Sequence, residues 1–75
     1  MQPRLDDHVS AHLRAEMARR RMSNAALAEL LGVDAMWVWR RAHGTTRITL
    51  GDLERIAGAL DLTPSAFMPA AERAS

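Results

Sequence analysis

A glycine near the middle of residues 24–44, NAALAELLGVDAMWVWRRAHG, most constrains what this chain can fold into. Gly32 can take the left-handed backbone conformation that ends a helix in a sharp turn. Ala28 lies four residues before it and Val38 six residues after it. A small side chain at Ala28 lets two helices cross at close range, and Val38 can plug the second helix onto the first. The spacing therefore predicts two short helices joined by a tight turn.

The sequence also predicts a helix before this pair and marks the residue at which each helix of the pair begins. Apolar residues at helical spacing predict a first helix over residues 9–21. Its stripe consists of Val9, Leu13 and Met17. Ser23 can cap a second helix over residues 24–31, and Asp34 can cap a third over residues 35–43. The second helix is expected to face the core with three leucines, Leu27, Leu30 and Leu31.

Two further helices are predicted after residue 48. Thr49, with Asp52 three residues later, has the pattern of a capping box. The expected apolar face of this fourth helix is Leu50, Leu53, Ile56, Ala57 and Leu60. Thr63 followed by Pro64 opens a short fifth helix, in which Phe67 closes the core.

The predicted fold class is all-α, a compact domain of five helices. No run of alternating β-branched residues is flanked by hairpin turns, so no strand is expected. We predict a short N-terminal arm at residues 1–8, a helical domain at 9–69 and a polar tail at 70–75.

The size and composition of the chain exclude several classes of function. At 75 residues it can form one small domain, with little room for a supported catalytic cleft. It has no cysteine and no apolar run of roughly 18 residues. His8 and His12 have the spacing of a metal pair but lack an evident third ligand. We expect a cytoplasmic binding domain with no enzyme activity, cofactor, metal, small-molecule ligand or membrane segment.

Charge is unevenly distributed along the chain, although the net charge is only +1. Residues 34–50 carry three arginines against Asp34 alone, whereas residues 51–75 carry two arginines against four acids. All ten basic side chains are arginine, which a GC-rich coding sequence can produce by itself. The planar guanidinium of arginine is also better suited than the lysine ammonium to donate two hydrogen bonds at once to phosphate or guanine. The middle of the chain is therefore basic and its end acidic.

The chain resembles the phage repressor and Cro-like helix-turn-helix proteins, the lambda-repressor-like or XRE-type DNA-binding family. The resemblance covers residues 9 to about 68 without a gap and includes LRAEMARRRMSNAALAELLGVD and TLGDLERIAGALDLTPSAFM. The WRR followed shortly by glycine is similar to immunity repressors of phages or prophages in GC-rich bacteria. The resemblance implies a transcriptional regulator that binds double-stranded DNA, often as a dimer on pseudo-palindromic sites.

The chain departs from that family in three places. Asn24 stands where many relatives have a glutamine whose amide reaches a DNA phosphate, and it is shorter. Met17 and Ala42 replace an Arg–Glu pair that many relatives hold inside the domain. Loss of both charges together can be neutral or stabilising, whereas loss of one strands a buried charge. Trp37 and Trp39 stand where small polar residues are usual.

The third helix is predicted to be the recognition helix, over residues 35–43. With 100° per residue and Val38 facing the core, Met36 and Arg40 point roughly 160° away. In helix-turn-helix docking the second helix of the motif enters the major groove with its N-terminal residues nearest the bases. The predicted base contacts are therefore Ala35, Met36 and Arg40, and the resemblance assigns the same three positions. The Arg40 guanidinium is expected to donate two hydrogen bonds to guanine, one to O6 and one to N7.

The two tryptophans flank this stripe at about 100° on either side of Val38. Trp39 is expected on the DNA-facing flank, with packing against neighbouring protein as the alternative. Trp37 is expected to be partly buried against the second helix, although its indole NH can also donate to a phosphate. Arg41 is expected to extend its stem along the core toward the backbone.

Contacts with the DNA backbone are predicted at the head of the second helix and around the end of the third. Ser23 and Asn24 supply the first group, and Thr45, Thr46 and Arg47 supply hydroxyls, backbone NH groups and charge. The full set of predicted backbone or flanking contacts is Ser23, Asn24, Trp37, Trp39, His43, Thr45, Thr46 and Arg47. The arginine run at residues 19–21 is expected to be a solvated helix end.

Three interpretations of the function remain open at this point. The first is a phage-type repressor that occupies an operator, either alone or as the DNA-binding part of a longer chain. The second is an antitoxin of the same fold. The third is a protein-interaction domain with the tryptophans as its anchor, against which the acid-free stretch at residues 35–51 argues.

Overall fold

The computed structural model describes residues 5–69 and contains no strand within them. Four α-helices follow one another in the order α1 (Leu5–Arg19), α2 (Asn24–Leu31), α3 (Ala35–Ala42) and α4 (Leu50–Ala59). A single 3-10 turn, Pro64–Phe67, completes the described chain. The all-α class is therefore confirmed.

The predicted fifth α-helix was wrong, because this segment is one turn of 3-10 helix. Its backbone bonds join residues three apart, with Ala66 N donating to Thr63 O at 3.0 Å and Met68 N to Ser65 O at 3.1 Å. Met68 already has extended backbone angles, φ −91° and ψ 155°. Pro69 disfavours a helical conformation in the residue before it, so the segment is too short for an α-helix.

The first helix begins four residues earlier than predicted, at Leu5, and ends two residues earlier, at Arg19. Asp6 and Asp7 lie in its first turn, where carboxylates interact favourably with the positive end of the helix dipole. The predicted arm therefore overlaps α1 over residues 5–8. Residues 1–4 and the predicted tail at 70–75 lie outside the described residues.

Three helices end in the same backbone geometry. The chain turns through left-handed φ values of 53° at Arg21, 73° at Gly32 and 59° at Asp61. In each case the next amide donates back to a carbonyl five residues earlier, at 2.8 Å, 3.0 Å and 2.8 Å respectively. The residue after each turn packs an apolar side chain on the core: Met22, Val33 and Leu62. These closures make the tight connections that hold the four helices together.

The core joins all four helices to the 3-10 turn. Its largest fully buried side chains are Phe67, Leu13, Leu27, Ile56, Leu60 and Val38. Met17 and Ala42 are also buried, so the positions where many relatives carry a charge pair are apolar here. No buried side-chain nitrogen or oxygen among the described residues lacks a hydrogen-bond partner.

Two predicted core leucines are exposed. Leu30 is 59% exposed and Leu50 is 65% exposed. The buried arc of α2 runs from Leu27 through Ala28, and Leu30 lies more than 100° from its centre at 100° per residue. Leu50 is the first residue of α4, where the side chain leans toward the N-terminus and past the end of the helix.

Between residues 5 and 69, none of the helices combines the length and the apolar character that crossing a membrane requires.

Candidate nucleic-acid interface

The two central helices begin at the predicted caps. Ser23 Oγ accepts a hydrogen bond from Ala26 N at 3.0 Å, and Asp34 Oδ1 accepts one from Trp37 N at 2.8 Å. The turn between the helices is closed by Gly32, whose missing Cβ would meet no neighbour within 4 Å. Its backbone angle, not a lack of space, is therefore what favours glycine. Ala28 and Val38 are 3% and 1% exposed, so both lie in the core between the helices.

The C-terminal end of α3 is held by side chains of α1. Ser10 Oγ donates to the Arg41 carbonyl at 2.8 Å, and Arg14 Nη1 donates to the Ala42 carbonyl. These carbonyls belong to the last turn of α3, where no later residue of the helix can donate to them. The Arg41 carbonyl also accepts from Gly44 N in the turn that follows, at 3.3 Å. Arg14 therefore positions α3. Ser10 was not predicted, although its spacing to Leu13 and Met17 places it on the buried stripe of α1.

The turn after α3 folds back onto the helix. Thr45 N and Thr46 N both donate to the Arg40 carbonyl, at 2.9 Å and 3.3 Å, and Thr45 Oγ1 donates to it at 3.1 Å. Gly44 enables this return with a φ of +76°. The backbone NH groups that the sequence suggested for phosphate contacts are thus engaged inside the domain.

One flank of α3 is joined to α4 through side chains. The Arg41 guanidinium carbon lies 3.8 Å from the centroid of the Trp37 ring, and the Arg55 guanidinium carbon lies 5.7 Å from it. Arg41 also donates to the Trp37 carbonyl at 3.2 Å and pairs with Asp52 at 3.1 Å. Arg55 donates to the Leu31 carbonyl at the end of α2 at 2.9 Å. We call these four residues, Trp37, Arg41, Asp52 and Arg55, the inner flank.

Asp52 is the charged acceptor of the inner flank. Burial raises the pKa of Asp52, but the Thr49 backbone NH, the Arg41 guanidinium and the Thr49 hydroxyl stabilise its carboxylate. The net result is a pKa below the ordinary value. The same carboxylate completes the predicted capping box of α4, which is confirmed. Asp52 therefore fixes the start of α4 and the orientation of Arg41 together.

The opposite flank of α3 faces solvent. The rings of Trp39 and His43 are stacked, with centroids 4.6 Å apart and planes inclined by 21°. His43 Nδ1 lies 3.0 Å from the Trp39 carbonyl oxygen, and Trp39 stays 40% exposed. We call Trp39 and His43 the outer flank. Within residues 5–69 these rings stack only on each other.

The exposed stripe of α3 lies between the two flanks. Met36 is 51% exposed, and Arg40 is exposed on the same face one turn later. The Arg40 guanidinium makes no hydrogen bond or ion pair to any side chain or carbonyl between residues 5 and 69. Asn24, Ala35, Met36 and Trp39 line an apolar depression of about 260 Å³ beside it.

Arg47 has a protein partner that the sequence did not indicate. Its Nε lies 3.0 Å from Asp6 Oδ2, across 41 residues of chain. The two side chains are 75% and 37% exposed, so water and salt weaken the attraction. Arg47, which was predicted to contact phosphate, therefore forms an exposed ion pair with Asp6 in the structure.

The arginine run at residues 19–21 is partly engaged within α1. Arg19 and Arg20 pair with Glu16 at 2.6 Å and 3.1 Å, and the Glu16 side chain is only 9% exposed. Arg21 occupies the left-handed turn that ends the helix. In the middle of α1, the half-buried His12 ring lies 5.2 Å from the Phe67 ring, centroid to centroid, with the two planes inclined by 56°.

Comparisons with known proteins agree with this architecture. Residues 12–68 match the family model of the Cro/C1-type HTH DNA-binding domain. Over 63 residues, 84% of this chain, the identity is 35% to the uncharacterized HTH-type transcriptional regulator y4aM and 33% to y4wC, both of Sinorhizobium fredii. The chain spans 44% of the length of each relative.

A solved structure has the same fold. The hypothetical transcription factor NHTF from Neisseria superposes with a TM-score of 0.81 over 95% of this chain and 83% of that one, at 24% identity. The family match over three quarters of the chain confirms the resemblance found in the sequence. This chain belongs to the Cro/C1-type helix-turn-helix DNA-binding domain family.

Proposed function

We propose that this domain binds duplex DNA site-specifically through α3 in the major groove and represses transcription by occupying an operator. The observation that carries the proposal is the contrast between two neighbouring arginines. Arg41 is stacked, paired and half-buried, whereas Arg40 projects to solvent without a partner among the described residues. An exposed guanidinium on this stripe of α3, with no partner in the described part of the chain, is suited to guanine O6 and N7.

The base-reading group in this proposal is Ala35, Met36 and Arg40. All three are exposed and lie on α3. A bidentate contact of Arg40 to guanine would contribute about 1–3 kcal/mol of discrimination. Ala35 and Met36 offer apolar contact only.

Contacts to phosphate and sugar surround this group. Ser23 and Asn24 lie at the head of α2, and the outer flank lies beside the exposed stripe. After the end of α3, the Thr46 hydroxyl and the Arg47 guanidinium supply donors. The Thr45 hydroxyl already donates to the Arg40 carbonyl, so we leave Thr45 out of this set. Trp37 is covered by two guanidinium groups, so we assign it to the positioning of α3 and not to direct contact.

We propose further that the regulator, either this domain alone or a longer chain that contains it, is a phage or prophage-type repressor. The support is the likeness of the WRR and following glycine of α3 to such repressors, together with two curated relatives named as transcriptional regulators. A homodimer on a pseudo-palindromic operator follows from the way such domains commonly bind. Half-sites would then lie about 34 Å apart, one turn of DNA.

Selection of bound duplexes from a random pool tests the function. We expect one enriched sequence class, with an affinity for it that falls steeply as salt rises, because phosphate contacts release counterions. Inverted repeats in the enriched class would reveal the dimer. Enrichment of no sequence, or an affinity independent of salt, would contradict the proposal.

Two variants of Arg40, one that keeps its charge and one that removes it, sharpen this test. Arg40→Lys keeps the positive charge but loses the planar fork, and Arg40→Ala loses both. We expect both variants to lose discrimination at one base pair, and only Arg40→Ala to show a smaller salt dependence as well. Equal discrimination in Arg40→Lys and the original protein would place the reading group elsewhere.

A further inference from the structure

Asp6 brings a negative charge to the edge of the proposed DNA-binding surface. The stretch from residue 35 to 51 contains three arginines and no acid of its own. Asp6 of α1 reaches this stretch across 41 residues of chain, with its Oδ2 3.0 Å from Arg47 Nε. Arg47 is the last of the three arginines and follows the end of α3. The carboxylate therefore lies beside a side chain that is proposed to contact a DNA phosphate.

The exposure of this ion pair allows it to open. The Arg47 and Asp6 side chains are 75% and 37% exposed. Those of the inner-flank pair, Arg41 and Asp52, are only 14% and 15% exposed. Water can solvate both groups of the exposed pair once they separate, and ion pairs of this kind contribute little to folding stability. Arg47 can therefore leave Asp6 at a small cost when a phosphate approaches.

A DNA phosphate and the Asp6 carboxylate require the same guanidinium. Two anions that approach one arginine repel each other, and the repulsion grows as water is excluded from the contact. DNA binding therefore either separates Arg47 from Asp6 or holds the carboxylate close to a phosphate. Both outcomes reduce the affinity that Arg47 contributes.

We propose that Asp6 is an intramolecular competitor of DNA phosphate for Arg47, and that it lowers the affinity of the domain for DNA without changing its sequence preference. The inference rests on the proposed function and adds to the interface a residue that weakens it. Because phosphate contacts carry no base information, the lower affinity applies to all sequences alike. Asp6 thus limits binding to non-operator DNA, for which phosphate contacts supply nearly all of the affinity.

Asp6→Asn tests the proposal, because it removes the charge and keeps the size of the side chain. Affinity is measured by fluorescence anisotropy on the duplex that the selection experiment returns and on a duplex of unrelated sequence. We expect the dissociation constant to fall about two- to fivefold on both duplexes, the range that one exposed ion pair supports. The gain should shrink as the salt concentration rises, since salt screens the pair.

Asp7→Asn is the matched control. Asp7 lies in the same first turn of α1, so its replacement removes the same charge and the same interaction with the helix dipole. Its side chain leaves the helix roughly 100° away from that of Asp6. We expect Asp7→Asn to change the dissociation constant by a clearly smaller factor. An equal gain in both variants would show that total charge sets the affinity, which overturns the proposed competition.

A double-mutant cycle ties the gain to Arg47. Arg47→Ala should weaken binding to both duplexes, and in that background Asp6→Asn should bring no further change. A gain that persists without Arg47 would come from direct repulsion between Asp6 and the DNA. That result would overturn the competition for the guanidinium.

The remaining outcomes separate this inference from the proposed function. Site-specific, Arg40-dependent binding with an unchanged affinity in Asp6→Asn overturns the inference alone. A weaker affinity in Asp6→Asn also overturns it, because Asp6 would then orient Arg47 toward the phosphate. The absence of any site-specific binding overturns the inference and the proposed function together.

Discussion

The two flanks of α3 are built from the same kind of pair and have opposite surroundings. Trp37 and Arg41 stack four residues apart on the inner flank, and Trp39 and His43 do the same on the outer flank. The inner pair is tied to α4 and α2 through Asp52 and Arg55. The outer pair has no such ties among the described residues and stays half exposed.

The comparison teaches that the spacing creates the stack and the neighbouring helices decide its role. Residues four apart on a helix face the same side, so each tryptophan meets its partner, Arg41 or His43, within α3. On the inner flank, α4 supplies an acid and a second guanidinium, and the stack stabilises the fold. On the outer flank none of the helices in the described part of the chain supplies such groups, and the stack stays exposed.

The largest expected effect is a difference in stability between the two tryptophans. Trp37→Ala should lower the free energy of unfolding by about 2 kcal/mol, because a half-buried indole is lost together with its contacts to two guanidinium groups. Trp39→Ala should change it by less than about 0.5 kcal/mol, as for most surface substitutions. Urea denaturation followed by circular dichroism measures both. Equal losses would remove the distinction between the flanks.

A smaller effect is expected at the ion pair of the inner flank. Asp52→Asn keeps an acceptor for the cap of α4 but removes the charge facing Arg41, and should cost about 1 kcal/mol at neutral pH. Arg41 and Asp52 are only 14% and 15% exposed in their side chains, so the pair is less screened than one at the surface. The His43→Gln variant on the outer flank serves as the control and should be nearly neutral.

The stability difference between the original protein and Asp52→Asn should depend on pH. The pKa of Asp52 is lowered in the folded protein from its ordinary value of 3.8. The stabilisation is therefore fully present above pH 3.8 and is lost as the pH falls through the lowered folded value. The gap between the original protein and Asp52→Asn should close in that acid range. A gap that widened on acidification would contradict the assigned ion pair.

The smallest expected effect concerns the mobility of Trp39. In a Trp37→Phe background, Trp39 is the single tryptophan, and His43→Ala should increase quenching of its fluorescence by acrylamide while changing stability by less than about 0.5 kcal/mol. The reason is that the stack and the contact to the Trp39 carbonyl both come from the same ring. Unchanged quenching would show that His43 does not restrain the indole.

Local signals were predictable from the sequence. The caps at Ser23, Asp34 and Thr49 and the turn at Gly32 each depend on residues within three or four positions. The exposed positions of Met36 and Arg40 followed from helical periodicity once Val38 was taken as the core residue.

Features that depend on distant segments were not predictable. Arg47 meets Asp6 across 41 residues, and Arg41 meets Asp52 on another helix. Leu30 looked like a core residue because only the packing of neighbouring helices shows where the buried arc of α2 ends. The extra turn of α1 was missed because its signal is two acids and not an apolar stripe.

The most direct test of the central claim repeats the duplex selection with three proteins: the original domain, Arg40→Ala and Arg47→Ala. If α3 reads DNA as proposed, Arg40→Ala relaxes the preference at one base pair, while Arg47→Ala weakens all sequences alike and leaves the preferred sequence intact. The reverse pattern, with an unchanged preference in Arg40→Ala, would contradict the assignment of the exposed stripe of α3 as the reading surface.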